Sequence, residues 1–354
     1  MFEYNKKYDI SNHLIKKIKT LPKSHCPNSN AQAWVLVDGR VGSNMQAIAL
    51  AEAIDLEYHV VDVKYNALSL LPNILKPFGT YYVQSPNFGE ILQHNVPRLL
   101  ISASRRTAHI SASIKRLFPQ IKNIHILRPE MDFSYFDCVV LPQHDKGVSK
   151  KNNNVIRIIG SLNAIHKRIK DTYDIFMKKY TSYYNNPYIA VLVGGDTKDF
   201  HFDFEESKKF ANILSNISHT NDVGLFLSFS RRTPQALKDT LKELSGKKCI
   251  IYDPASGEWN PYPSLIKDAK YVIATCDSIS MVSEVATYGK PLYLYKPKLF
   301  TSNKHLTFLY QLQDLGIAKL ITPSTDFLQE YNYNSLNEAH RISEYIISQL
   351  NSVK

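Results

Sequence analysis

Arg231 and Arg232 follow an apolar run, Gly224-Leu-Phe-Leu-Ser-Phe229, and precede Thr233-Pro234, a pair suited to a helix start. Open α/β sheets bind ligands at the carboxyl ends of their strands. Guanidinium groups there can clamp a diphosphate through charge-assisted bonds. Such a bond contributes about 1.5–3 kcal/mol, against about 0–1 kcal/mol for an exposed arginine salt bridge. Adjacent arginines point in different directions, so one is expected to face the ligand and the other to pair structurally. A second anion site is spelled by Asp277-Ser-Ile-Ser-Met-Val-Ser-Glu284. Asp277 and Ser278 offer an N-cap after the strand-like run Tyr271–Thr275, and Met281, Val282 and Val285 form an apolar stripe. The free N–H groups and dipole of that hydroxyl-rich start, with Ser280 and Ser283, suit a phosphate or diphosphate. Glu284 lies one to two turns in, where a carboxylate suits ribose hydroxyls. The plainer readings are a capped helix, an ordinary turn and a solvent-facing glutamate.

Other strand ends carry further candidates. Gly194-Gly195-Asp196 follows Tyr188–Val193 and would let a loop approach the same ligand, as would Ser230, Thr233 and Asn260 from neighbouring loops. Near the N-terminus, Ala33–Val37 runs into Asp38-Gly39-Arg40-Val41-Gly42-Ser43-Asn44-Met45-Gln46, a tight turn in which Ser43 or Asn44 can cap a helix. Its glycine spacing is not a dinucleotide fingerprint, and the GK[ST] of a Walker loop is missing. Ser104-Arg105-Arg106-Thr107 stands in the same context and repeats as Ser230-Arg-Arg-Thr233, which reads as two equivalent loops, one per domain. The candidate general bases are His144, Asp145 and Asp38. No metal constellation stands out. Cys26, Cys138, Cys249 and Cys276 lack metal or redox spacing, and Cys276 has no base partner that would mark a nucleophile.

These residues need a scaffold. Strand-like runs alternate with helical patterns throughout the 354 residues, which argues for two parallel-sheet α/β domains. The expected organisation is a polar leader (1–30), an N-terminal Rossmann-like domain on the acceptor side (31–183) and a C-terminal Rossmann-like domain on the nucleotide side (184–332). A C-terminal helix (333–354) follows, and the domain break is expected in the turn-rich stretch 181–187. Asn66 to Asn87 reads as a loop or short helices near an acceptor. Lys+Arg of 43 against Asp+Glu of 32 gives a net charge of +11, which favours acidic partners. The basic residues are scattered and no RNA-binding signature is present, so nucleic acid is not expected as a partner. The first 23 residues lack an apolar signal core and no apolar run approaches a membrane span. A cytoplasmic location, with peripheral contact to the inner membrane allowed by the charge, is the expectation.

Taken in order, the motifs Asp38–Gln46, Ser104–Thr107, Phe136–Asp145, Gly194–Asp196, Ser230–Pro234, Asn260–Tyr262 and Asp277–Glu284 form a set. The set resembles the mitochondrial-fission ELM-type family, whose bacterial members are described as glycosyltransferases, and it spans about 38 to 310. The resemblance implies a GT-B-like fold with two facing Rossmann-like domains, a nucleotide-sugar donor held mainly by the C-terminal one, and a final helix that crosses back to the first. It implies no cofactor and no metal, the nucleotide-diphosphate sugar being a substrate. On that model the 278–284 helix start with Arg231 or Arg232 holds the diphosphate and Glu284 the ribose. Residues 39–46 and 104–107 (Gly39, Arg40, Gly42, Ser43, Asn44, Gln46, Ser104, Arg105 and Arg106 among them) border the cleft of an envelope or lipid-linked acceptor. Cys276 and Ser102-Ala103 depart from the family pattern. Two alternatives stay open: a non-catalytic membrane-surface scaffold of the fission type, and a nucleotide-sugar epimerase.

Overall fold

The computed structural model describes residues 33–71, 96–145, 153–180, 187–198, 200–244 and 249–351, with 73, 78–79, 82–85, 88 and 147 between them. The polar leader and most of the turn-rich stretch 181–187 lie outside these residues. The chain forms two compact units, one of residues 1–163 with 338–354 and one of residues 164–337.

In the first unit, β1 (Ala33–Val37), α1 (Val41–Ile54) and β2 (Tyr58–Asp62) are followed by a small antiparallel pair, β3 (Lys64–Tyr65) and β4 (Val83–Ser85). Then come β5 (Leu99–Ala103), α2 (Ser104–Leu117), β6 (Lys122–Ile126), β7 (Cys138–Pro142) and β8 (Val155–Ile158). The six-stranded sheet has the order β2-β1-β5-β6-β7-β8 and every pairing is parallel. β1 and β5 are buried on both faces, as near-continuous apolar runs in a parallel sheet require. α1 is alanine-rich, a favourable helix composition, and it ends at Asp55 in the left-handed conformation (φ 58°). It buries Ala47, Leu50, Ala51 and Ile54 in a core shared with Ile342 and Ile346. Those two side chains belong to α9 (Glu338–Asn351; the intervening helices α3 to α8 belong to the second unit).

The second unit contains α3 (Ile165–Tyr180), β9 (Tyr188–Val193), α4 (Phe204–Thr220), β10 (Gly224–Phe229), α5 (Gln235–Lys242) and β11 (Cys249–Tyr252). It continues with α6 (Tyr262–Asp268), β12 (Tyr271–Thr275), α7 (Ile279–Tyr288), β13 (Leu292–Tyr295), α8 (Asn303–Asp314) and β14 (Ala318–Ile321). Its sheet, β11-β10-β9-β12-β13-β14, is again wholly parallel. Numbered within the unit this is the doubly wound order 3-2-1-4-5-6. β9 is buried along its whole length.

The break expected between 183 and 184 differs from the division into compact units, which places α3 in the second one. The reason lies in α3's partners: it packs on α6 and α7, and Thr172 Oγ1 bonds Ser264 Oγ at 2.7 Å. Polar, turn-rich residues mark where a chain bends, not which side a preceding helix packs on.

Candidate functional site

In the second unit the chain leaves β9 toward β10 and β11 on one side of the sheet and β12 toward β13 and β14 on the other. The carboxyl ends of β9 and β12 therefore flank the switch point where such sheets bind ligands. Asp277, whose side chain is only 2% exposed, is the centre of that edge. Its Oδ2 accepts from the Gly195 N–H at 2.9 Å and from Arg232 Nη2 at 2.9 Å. Its Oδ1 accepts from Thr275 Oγ1 at 2.6 Å, and Thr275 Oγ1 in turn accepts from the Gly194 N–H at 2.8 Å. Asp277 thus ties three loops together and does not cap the helix. Capping falls to Ser278, whose Oγ accepts from the Met281 N–H. The two glycines are required by the same lacing. A Cβ on Gly194 would stand 2.2 Å from the Asp277 carboxylate, and one on Gly195 2.0 Å from the Arg232 carbonyl oxygen. They serve loop-on-loop approach; no ligand contact is needed to explain them.

The loop after β10 is bound into this edge. Ser230 Oγ donates to the Gly194 carbonyl at 2.9 Å, and Thr233 Oγ1 donates to the Val193 and Gly194 carbonyls. Arg232 is the arginine that pairs, reaching both Asp277 and the Asp196 carbonyl. Arg231 is exposed and has no partner among the described residues. Ser280 and Asn260 are exposed as well, whereas Ser283 is buried and turned back onto the Ile279 carbonyl. The groups left facing outward are the first N–H groups of α7, Ser280, Arg231 and part of the Arg232 guanidinium. The α7 first turn carries no acidic residue. It is an edge able to hold an anion.

Glu284 lies deeper than its expected ribose contact suggests. Its Oε1 is 2.5 Å from Arg168 Nη1 on α3, and its Oε2 accepts from the Tyr262 hydroxyl. Burial raises the carboxyl pKa above its ordinary value, while Arg168 and Tyr262 oppose that shift. Arg168 and Tyr262 were not among the residues expected at the site. A basic cluster (His166-Lys167-Arg168) and an Asn-Pro-Tyr turn carry no spacing that ties them to a glutamate far along the chain.

In the first unit, the loops after β1 and β5 flank that sheet's own switch point. Neither Ser43 nor Asn44 caps α1: the N-cap is Arg40, without a side-chain cap bond. Asn44 instead staples the turn, its side chain accepting from the Asp38 N–H at 3.1 Å and donating to the Asp38 carbonyl, while Ser43 Oγ donates to the Arg40 carbonyl. Asp38 is buried, and its Oδ1 accepts from the Arg40 N–H at 2.9 Å. Gln46 is buried on α1. Gly39 and Gly42 have open space where a Cβ would stand. A cleft of about 690 Å³ is lined by Asp38, Gly39, Val41, Asn44, Tyr65 and Arg106 among others. Tyr65 was not anticipated, because no motif surrounds it. Arg105 pairs with Glu130 at 3.5 Å, and Arg106 lies over the Tyr65 ring, 5.8 Å from its centroid.

The two Ser-Arg-Arg-Thr segments are not equivalent loops. Ser104–Thr107 is the first turn of a helix, and Thr107 Oγ1 bonds the Ala103 backbone. Ser230–Thr233 is a loop ahead of a proline-capped helix. Their strands also occupy different places: β5 lies across the switch point from its sheet's first strand, while β10 lies on the other side of β9. His144 and Asp145 follow β7, three strands from β1, so the structure does not bring them to Asp38; His144 is buried. Ser102 and His125 form a 2.8 Å pair, but both are fully buried. Desolvation lowers the His125 pKa to about 3, so this pair is core and not a nucleophile with its base. Cys276 is buried and its thiol pKa is pushed far up. Among the described residues no cluster of His, Cys, Asp and Glu suits a metal ion. No helix among them is long and apolar enough to cross a membrane.

The model of the family described as mitochondrial fission ELM1 matches residues 41–350. An uncharacterized protein of Rickettsia prowazekii (strain Madrid E) is 34% identical over 88% of this chain and 97% of its own length. The mitochondrial fission protein ELM1 of Arabidopsis thaliana is 22% identical over 68% of this chain and 61% of its own length. Among solved structures, the UDP-GlcNAc 2-epimerase of Methanocaldococcus jannaschii is similar with a TM-score of 0.60 at 15% identity, covering 91% of this chain and 99% of that one. The fold is an α/β GT-B-like one, with two Rossmann-like units and parallel sheets.

Proposed function

As a member of the mitochondrial fission ELM1 family with a GT-B-like fold, this chain is, we propose, a glycosyltransferase that moves a sugar from a nucleotide-diphosphate donor to a cell-envelope acceptor. The observation that carries the reading is the laced edge of the second sheet. Asp277, Gly194, Gly195, Ser230, Arg232 and Thr233 use their polar groups on one another. Together they fix the α7 N-terminus and Arg231 at the switch point, where a diphosphate is met by N–H groups and guanidinium charge. Donors held rigidly where charge develops on a departing diphosphate stabilise it without reorganising during the reaction. In this reading no cofactor takes part. Glu284, held by Arg168 and Tyr262, sets the floor of the nucleoside site and uses its remaining lone pairs on ribose. Asp38 is the acceptor-side base, and the charge of +11 draws the protein toward an anionic membrane surface.

A second reading, nucleotide-sugar epimerisation, is favoured by the likeness to the M. jannaschii epimerase, which is also solved with UDP-GlcNAc and UDP at a TM-score of 0.50. Both need the same nucleotide edge. Calorimetry of the intact protein with UDP, GDP, ADP and CMP tests that edge. Incubating the protein with the nucleotide sugar it binds, without acceptor, and following the sugar by NMR separates the two: an inverted sugar favours the epimerase.

A further inference from the structure

Among the described residues of the first unit, the buried side-chain atoms without a hydrogen-bond partner include Asp38 Oδ2, Tyr65 Oη and Arg106 Nε. These three residues line the same cleft of about 690 Å³, whereas others with such atoms, Gln46 (Oε1) and Ser104 (Oγ) among them, do not line it. Buried polar groups are nearly always satisfied, so three orphans on one cleft call for a common explanation. They differ in kind. The carboxylate oxygen only accepts, the guanidinium N–H only donates, and the tyrosine hydroxyl does either. A lone phosphate would answer Arg106 but would be repelled by Asp38. A hydroxyl group answers both, donating to Asp38 and accepting from Arg106. Neighbouring hydroxyls on a sugar ring supply several such groups at once.

The rest of the cleft is of the opposite character. Val37, Val41, Val60 and Val63 form much of its wall. Of these Val41 is 53% exposed, and Leu68 and Leu70, the sequence neighbours of the cleft-lining Ser69, are 50% and 68% exposed. Large apolar side chains held outward beside a cleft with a polar floor fit a ligand with a hydroxylated head and an apolar tail.

We propose that this cleft binds an amphipathic glycoside, its sugar hydroxyls engaging Asp38, Tyr65 and Arg106 and its hydrocarbon lying over Val41, Leu68 and Leu70. As the acceptor's site it rests on the transfer reading above; as a binding site it does not. Its test therefore uses the full chain without nucleotide. Methyl and octyl glycosides of glucose, galactose and N-acetylglucosamine, the octyl forms below their micelle concentration, are screened by saturation-transfer NMR. At least one octyl glycoside is expected to bind saturably and about tenfold more tightly than its methyl counterpart. Asp38→Asn, which exchanges an acceptor for a donor, is expected to weaken it by a further factor of about ten. Tyr65→Phe removes the orphan hydroxyl and keeps the ring, so a weakening there carries the test if the Asp38 variant fails to fold. Absence of saturable binding by every glycoside, or wild-type binding by folded Tyr65→Phe and Asp38→Asn, would overturn the proposal. Such a failure beside intact nucleotide binding would leave the donor reading standing.

Discussion

The Asp277 carboxylate holds Arg232: Oδ2 and Nη2 stand 2.9 Å apart, and the same oxygen takes the Gly195 N–H at 2.9 Å. One buried charge thereby sets the geometry of three strand-end loops. Removing the charge while keeping the shape is the direct probe. Asp277→Asn is expected to lower unfolding stability by about 1–3 kcal/mol, the range for losing a buried charge-assisted hydrogen bond. Urea denaturation measures it; a midpoint unchanged at constant slope would deny Asp277 this role.

The glycines divide into two kinds. An added Cβ at Gly195 meets a backbone carbonyl that cannot rotate away, so Gly195→Ala is expected to cost about 1–3 kcal/mol or more by overpacking. Gly42, in the first turn of α1, has open space at its Cβ position. Gly42→Ala is expected to stabilise the helix by about 0.5–1 kcal/mol. Thermal melts of the two variants should move in opposite directions, and a parallel fall would refute the distinction.

Ser104 is a non-glycine residue at φ 72°, the left-handed region, at the first position of α2. Such a backbone costs about 1–3 kcal/mol when the residue is not glycine. Ser104→Gly should therefore raise the melting temperature, and a lower one would show that the serine earns its place through contacts.

Glu284 makes stability depend on pH. Its folded pKa lies above the ordinary 4.5 because burial disfavours the charge. A raised carboxyl pKa means that the folded state holds the proton more tightly than the unfolded state. The associated stability is fully present below the unfolded pKa and is lost as pH rises through the folded one. In Arg168→Met the opposing charge is gone and the pKa rises further. That variant is expected to be destabilised by about 3–5 kcal/mol at about pH 8, with much of the deficit recovered near about pH 5. Melts across that window decide it; a deficit independent of pH would mean that Arg168 acts by packing alone.

Much of this fold is legible in the chain because parallel strands buried on both faces are continuous apolar runs. Ala33–Val37, Tyr188–Val193, Gly224–Phe229 and Tyr271–Thr275 all read directly as strands and are strands. β14 is not legible in the chain, because an edge strand with a lysine, Ala-Lys-Leu-Ile, has neither a long apolar run nor clean alternation. The membership of α3 was missed because packing partners far along the chain leave no local signal. At the site, the strand ends were readable but the division of labour was not. Asp277 resembles a cap in sequence, yet three-dimensional neighbours convert it into a tie between loops. Glu284 looks like a surface helix residue until Arg168 and Tyr262 meet it.

The central claim is that the edge laced by Asp277 holds a nucleoside diphosphate. The most direct measurement is isothermal calorimetry of the intact, folded protein with UDP, GDP, ADP and CMP, repeated on Arg231→Ala. Arg231 is exposed, so its loss should change stability by no more than about 0.5 kcal/mol. The result expected is saturable binding of one nucleotide, weakened about tenfold or more in the variant, as the loss of a charge-assisted phosphate contact requires. Heat indistinguishable from dilution with all four nucleotides, or equal affinity in Arg231→Ala, would contradict it.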